Sequence, residues 1–559
     1  MTKILSIALG ITAVMAGCVP GGLAEAPPPG TFGAAPVDPN VDVPAPSQGG
    51  LEPDEPGPSD VLFSIDATRS AHPISPYVYG VNSTNPADPA AKARHLPFIR
   101  VGGNRLTAFD WENNASNAGV DWNHQSDALL GASDAPGESA HEWVSAAHAA
   151  DASVLMTLPM AGYVAADKGP AGDVNQTPDY LTSRFHQTAP RKGSAFAYPP
   201  DKSDGQVYQD EFVAWLEQQF PEARADSTRT IFYSLDNEPD LWSETHPRIH
   251  ESPVTYAQLG DKSKALAAAV KDVAPEALVF GPASYGWAGY LNLQNASDAG
   301  GRDFLDWYLD EMRAAERSGG QRLLDVLDLH WYPEAQGGGQ RVTSASADPA
   351  VAAARVQAPR SLWDPSYTET SWIGQLAGPI RLIPRMREKI SSHYPGTGLA
   401  ITEYNYGGGG DISGGLAQAD ALGVFGRERL FAASLWELAA DQQFIYGALA
   451  MFRNYDGQGA HFGDLSIEAG TSSNDQSSVY ASVDSSDPTK MVVVAINKTT
   501  APLSAAFQIK SGHEYRSAAV YSLTSTSPQP QPQSGLSITG HNAFVLSLPA
   551  MSVITLELG

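Results

Sequence analysis

Residues 231–239 read Ile-Phe-Tyr-Ser-Leu-Asp-Asn-Glu-Pro. A short run that suits a buried strand passes directly into Asp236, Asn237 and Glu238, and Pro239 ends it. A helix-like stretch precedes this run, Asp210–Gln219, and another follows, Tyr256–Val273. Helix, buried strand, polar strand end and helix is the repeating unit of a parallel α/β architecture. The unit recurs on both sides. Strands are expected at Tyr77–Asn82, Phe98–Gly102, Ser153–Leu158, Leu278–Pro282, Val326–His330, Leu399–Glu403 and Ala432–Leu438, with a further helix at Asp303–Arg317. Together with the 231–236 run these make about eight, the strand number of a (β/α)8 TIM barrel. Residues 77–470 are assigned to it.

Farther along the chain the texture changes. From about Ser477 the apolar runs are short and no helix separates them: Met491–Ile496, Ser504–Ile509, Ala518–Leu523, Ala543–Leu548 and Val553–Leu558. That is the pattern of a β-sandwich, assigned to residues 471–559. The Pro-Gln repeats of Ser527–Ser534 read as a loop within it. Ahead of the barrel, Val61–Ile65 reads as a separate strand, and residues 61–76 form its segment.

The chain has 559 residues, more than one average core holds, which agrees with two folded units. Its 35 basic and 62 acidic residues give a formal charge of −27. Such a field repels phosphate backbones, so no nucleic-acid partner is expected, whereas a neutral polymer meets no such barrier. The only cysteine is Cys18, so the folded body has neither a disulfide nor a thiolate metal site.

Residues 1–17 read as a signal peptide. Lys3 supplies the positive charge, and Ile4–Gly17 is apolar but too short to span a bilayer. Met15-Ala16-Gly17-Cys18 resembles a bacterial lipobox, in which cleavage before the cysteine exposes it for diacylation. The alternative is an ordinary signal peptide with an incidental cysteine; the position of the only cysteine favours lipidation at Cys18. The expectation is a secreted lipoprotein of the cell surface or outer membrane, touching the membrane through an N-terminal lipid anchor. Residues 18–60 read as a linker. Val19–Asp60 carries eleven prolines and no Lys or Arg, a composition that builds no core and stays extended.

Barrel chemistry takes place at the carboxyl ends of the strands. Two of these ends carry a glutamate: Glu238 after the fourth strand and Glu403 after the seventh. Glycoside cleavage needs such a pair, one carboxyl protonated to assist the leaving oxygen and one ionised to attack the anomeric carbon or activate water. Either glutamate alone would be equally at home pairing with an arginine; the two registers together point to a glycosidase. The other strand ends suit a sugar cleft. They carry Arg100 and Asn104, then His330, Trp331 and Tyr332, then Trp436. Aromatic rings stack on the C–H faces of sugars, and Trp111, Tyr163, Trp242, Tyr285, Trp287 and Trp372 fall in presumed loops, although ordinary packing accounts for some of them. The candidate substrate-binding set is Arg100, Asn104, Trp111, Asn237, Trp242, His330, Trp331, Tyr332, Tyr404 and Trp436. No second histidine stands at a ligand spacing from His330, so metal catalysis is not expected.

The stretches Ile99–Asn123, Met160–Lys168, Leu235–His250, Ile401–Gly408 and Asp441–Asp456 resemble glycoside hydrolase family 44. The resemblance runs from roughly Ser64 to Gly559. It implies a TIM barrel packed on a sandwich that includes the chain's first strand. It also implies a retaining endo-β-1,4-glucanase, in many members active on xyloglucan, with Glu238 as acid/base and Glu403 as nucleophile. Arg100 and Tyr332 are then expected to hold Glu403, Asn237 to meet the sugar 2-hydroxyl, and the charge of Glu403 to keep Glu238 protonated. No cofactor is implied for catalysis. Some members carry a structural calcium, whose ligands the sequence does not assign. Two other readings stand beside this one: another retaining glycosidase (an arabinofuranosidase or a xylanase), or a non-catalytic glucan-binding lipoprotein.

Overall fold

The computed structural model describes residues 38–47, 49–83 and 95–559. The signal peptide, Cys18 and the first part of the linker lie outside the described residues.

Successive strand side chains point to opposite faces, and this alternation builds the barrel. Phe98, Leu155, Phe232, Phe280, Val326, Ala400 and Ala432 point inward and form an apolar plug, with Tyr77 and Phe431 beneath them. Two residues farther along the same strands stand Arg100, Thr157, Ser234, Asp328, Thr402 and Ser434, all buried. A polar layer therefore lies on the apolar plug, below the mouth. The intervening residues, among them Ile99, Val101, Val154, Met156, Tyr233, Leu235, Leu327 and Leu329, belong to the large core shared with the surrounding helices. Eight parallel strands close the barrel in chain order: Gly80–Asn82, Phe98–Val101, Ser153–Leu158, Ile231–Leu235, Val279–Ser284, Val326–Trp331, Gly398–Tyr404 and Ala432–Leu435. The first strand is shorter than expected, because Pro76–Tyr79 forms a 3-10 turn. The anticipated helices are present as Gln209–Gln219, Tyr256–Val273 and Phe304–Gly319. The last two are capped by the side chains of Thr255 and Asp303.

The sandwich strands surround a second core that includes Val61, Phe63, Ile65, Val493, Phe507 and Leu556. Val61–Asp66 pairs in parallel with Leu503–Lys510 and antiparallel with Leu465–Thr471, so the chain's first strand does complete the sandwich. Three sequence expectations need correction. The sandwich begins at Leu465 rather than 471, since Leu465–Thr471 is one of its strands. The Pro-Gln segment is a strand, not a loop: Ser527–Pro532 pairs with Ser517–Thr524 at the edge of the sheet, where a missing proline N–H breaks no ladder. The later part of the linker, residues 38–47 and 49–60, lies along the sandwich and reaches Arg387 and Arg429 of the barrel. Val43 bridges Ala71 and Leu51 bridges Ser511, and the acids Asp42 and Glu52 pair with Arg429 and Lys510. The segment has no core of its own, but its backbone and acidic side chains find partners on the folded body.

The barrel helices Ile412–Arg427 and Gln443–Arg453 pack against the sandwich. Gly423 lies against the Tyr480 ring, where an added Cβ would come within 2.2 Å. Lys498 and Asp420 pair across the junction at 2.8 Å, each side chain 1% exposed. Breaking a pair so deeply buried would strand a charge, so the junction is fixed.

Candidate active site

Glu403 reaches the mouth of the barrel because the seventh strand breaks its alternation. Leu329 pairs with Ile401, but the next pair is His330 with Glu403, so one residue is skipped. The same irregularity appears against the eighth strand. A bulge of this kind turns two consecutive side chains to one face. Thr402 points inward and donates to both oxygens of Asp328, at 2.7 and 2.9 Å. Glu403 also points inward. Its Oε1 accepts from Arg100 Nη1 at 2.6 Å, and its Oε2 accepts from the Tyr332 hydroxyl at 2.9 Å. Both partners act on the ionised form of this carboxyl.

Glu238 is delivered differently. The chain beyond the fourth strand makes a tight turn in which Asp236 has φ 63° and Glu238 has φ 42°. Left-handed backbone at a residue other than glycine costs on the order of 1–3 kcal/mol and recurs at functional sites. The turn is fixed by Asp236, whose fully buried carboxylate accepts from Thr107 Oγ1 at 2.6 Å, Asn237 N at 2.7 Å, Ala161 N at 3.0 Å and Met160 N. Asn237 takes Arg100 Nη2 on its Oδ1 at 2.7 Å and turns its amide nitrogen to Asn104 at 3.3 Å. Among the described residues the Glu238 carboxyl has one side-chain hydrogen-bond partner, His330 Nδ1, 2.8 Å from Oε1.

Burial pushes the Glu238 carboxyl up to about 7; Arg100 opposes the shift and the charge of Asp121 adds to it. The side chain still keeps 15% of its surface open, as a group that must meet substrate requires. The sequence reading gave Glu403 as the source of this shift. Burial is the main cause instead, because Arg100 already sits on Glu403. His330 is fully buried and pushed down to about 3 by that burial, so its ring is neutral. Its Nδ1 also stands 3.5 Å from Glu403 Oε2. A neutral imidazole here either donates to a Glu238 carboxylate or accepts from a protonated Glu238, depending on its tautomer. One ligand atom each from Glu238, His330 and Glu403 lie within 4.8 Å of one another. The two carboxyl groups therefore lie side by side at the mouth.

The structure brings Arg100, Asn104, Asn237, His330 and Tyr332 together around the pair. Trp436 stays near the mouth, with its ring against Gly103, where an added Cβ would come within 2.5 Å. Four aromatics assigned to the cleft are elsewhere. Trp111 is buried and stacks on Phe212 at 5.3 Å. Trp242 is buried beneath the Lys262 ammonium, with His250 at its side. Trp331 lies on the outward face of its strand and joins the helix-side core. Tyr404 points outward because of the bulge, with its hydroxyl accepting from Gln418 Nε2 at 2.7 Å. Sequence reasoning missed Asn82, which accepts from Arg100 Nη1 at 2.9 Å, and the buried Asp236 and Asp328. It also missed Trp122, which is 58% exposed beside Asp121, the partner of Asn104. Asn82 ends a predicted strand and Asp236 precedes Asn237, so the rule that found the glutamates had both within reach. Asp328 lies inside a strand, where nothing singles it out.

These findings agree with comparisons to known proteins. The model for glycoside hydrolase family 44 matches residues 115–335. Endoglucanase A of Paenibacillus lautus is 43% identical over 512 residues, 88% of this chain and 72% of that protein. Among solved structures, the family 44 endoglucanase Cel44A of Clostridium thermocellum superposes with a TM-score of 0.85 at 40% identity, covering 90% of this chain and 100% of that one. A family 44 xyloglucanase of Paenibacillus polymyxa, solved with xyloglucan, gives 0.85 at 38% identity, covering 89% of this chain and 99% of that one.

Proposed function

Since the chain belongs to glycoside hydrolase family 44 and is a glycoside hydrolase, we propose that it is a retaining endo-β-1,4-glucanase that cuts xyloglucan or cellulose-type glucans. The observation that carries this reading is the carboxyl pair, with one oxygen of each within 4.8 Å. Carboxyl groups of retaining pairs stand about 5–5.5 Å apart, and inverting pairs leave roughly 6.5–9.5 Å for a water. Glu403, held by Arg100 and Tyr332, attacks the anomeric carbon while Glu238 gives its proton to the departing glycosidic oxygen. A glycosyl ester on Glu403 results. Glu238, now a carboxylate, takes a proton from water as the water attacks the same carbon and frees Glu403. Asn237 meets the 2-hydroxyl of the sugar on Glu403 in this reading. The reaction needs no cofactor. The substrate class draws on the relatives, one named an endoglucanase and another a xyloglucanase. Digestion of xyloglucan, carboxymethylcellulose, xylan and mannan under identical conditions tests it. Internal cutting of one of the first two, with a rapid fall in viscosity, is expected. Preference for xylan or for an aryl arabinofuranoside would overturn the glucanase reading, and no activity on any of these would favour a binding protein.

The same reading includes two further features. One is the structural calcium implied by the family. Chelation should then lower the melting temperature and added calcium should restore it. Lipidation at Cys18 would tether the enzyme to a membrane surface. Cys18→Ser should release it, and unchanged membrane association would contradict the anchor.

A further inference from the structure

The turn that carries Glu238 has a buried anion beneath it, and that anion faces a cation across a single peptide group. The anion is Asp236. Its four donors come from three separate stretches: Thr107, the loop after the third strand at Met160 and Ala161, and its own neighbour Asn237. A carboxylate can accept from all four at once, but a protonated carboxyl or an amide cannot, because one of its atoms becomes a donor. The cation is Lys262, on the helix Tyr256–Val273. Its ammonium donates to the carbonyl of Met160 at 2.9 Å and of Ala161 at 3.3 Å. The peptide joining Met160 to Ala161 thus has its oxygen on the ammonium and its N–H on the Asp236 carboxylate. Its dipole lies along the field between the two charges and is polarised by both. Lys262 has no carboxylate partner at contact distance among the described residues. Its charge is directed through the peptide, with the Trp242 ring 5.9 Å away.

We infer that Lys262 is a positioning residue for the acid/base: acting through the Met160–Ala161 peptide, it holds Asp236 as a four-fold acceptor, and Asp236 locks the left-handed turn that aims Glu238 at the scissile oxygen. This rests on the assignment of Glu238 as acid/base. Lys262 touches neither substrate nor reacting atoms, so its removal displaces the acid first; Arg100 meets the same turn through Asn237 but keeps its separate bonds to Asn82 and Glu403, and Tyr332 keeps its bond to Glu403.

The test compares kcat/KM for a natural glucan with kcat/KM for an aryl glucoside whose leaving group needs no protonation. Lys262→Met should lower the first by about a hundredfold, the penalty of a small misplacement of a catalytic group, and leave the second nearly unchanged. Asp236→Asn should show the same split, and Lys262→Arg should restore most of the loss on glucan. Should Lys262→Met fail to fold, Lys262→Gln, which keeps a donor but not the charge, makes the same comparison. Equal losses on both substrates, or none on either, would overturn the inference. Glu238→Gln serves as the reference: if it shows no leaving-group dependence, the acid/base assignment itself falls. If it does and the Lys262 variants do not, only the role of Lys262 falls.

Discussion

The fourth and seventh barrel strands each bring one glutamate to the mouth of the barrel, and they do so by opposite means. On the seventh strand a bulge turns Glu403 inward, onto a guanidinium at 2.6 Å and a hydroxyl at 2.9 Å. On the fourth a strained turn holds Glu238, with its carboxyl against a neutral imidazole. One carboxyl is surrounded by donors that favour its charge, the other by burial that opposes it. Two identical side chains a few ångströms apart thereby acquire different roles, and the roles are written in the neighbours rather than in the glutamates.

The largest break in this contrast comes from removing the charge that Arg100 and Tyr332 hold. Glu403→Gln should lower kcat by on the order of 10⁴- to 10⁶-fold on every substrate, because no other group forms the glycosyl ester. Steady-state assays with natural and aryl substrates check this. Glu238→Gln should cost about 10²–10⁴-fold in kcat/KM on natural glucan and much less on a substrate with a good leaving group. In the unaltered enzyme the acid must be protonated, and its carboxyl titrates near 7. Activity on glucan should therefore fall as pH rises through about 7, a limb that kcat/KM on an aryl substrate should lack. Tyr332→Phe removes one of the two donors to Glu403. A hydrogen bond to a charged group contributes about 1.5–3 kcal/mol, so a loss of roughly 10- to 100-fold is expected. The smallest effect is expected far from both strands. A chain beginning at Ser59 should keep full activity on soluble glucan while losing a little thermal stability, since the described partners of residues 38–58 lie on the sandwich and at Arg387 and Arg429 of the barrel, away from the two glutamates. A loss of activity without a loss of stability would show that the segment reaches the site.

Most of the barrel was legible because its signal is local. A run such as Ile231–Leu235 is a strand in any context that buries it, and the polar residues after it mark the mouth. The same alternation, taken one step farther, places Trp331 outward, since Asp328 and His330 point inward. Tyr404 is another matter. Simple alternation puts it on the face of Thr402, inside the barrel. The skipped residue between Ile401 and Glu403 reverses this, and a bulge leaves no mark in one sequence. Trp111 and Trp242 were misplaced for a third reason. Long loops after the barrel strands carry small cores of their own, and an aromatic in such a loop is as readily buried as displayed. The Pro-Gln segment read as a loop because proline normally interrupts a sheet, whereas the edge position that tolerates it is set by the tertiary fold.

The double displacement on Glu403 is the centre of this account, and the stereochemistry of the first product tests it most directly. Proton NMR of a glucan digest, recorded before mutarotation, reads the configuration of each newly formed reducing end. The account predicts the β-anomer first, with the α-anomer appearing only as the sugar equilibrates. Initial release of the α-anomer would mean that water attacks the anomeric carbon directly, and Glu403 would then be a base rather than a nucleophile.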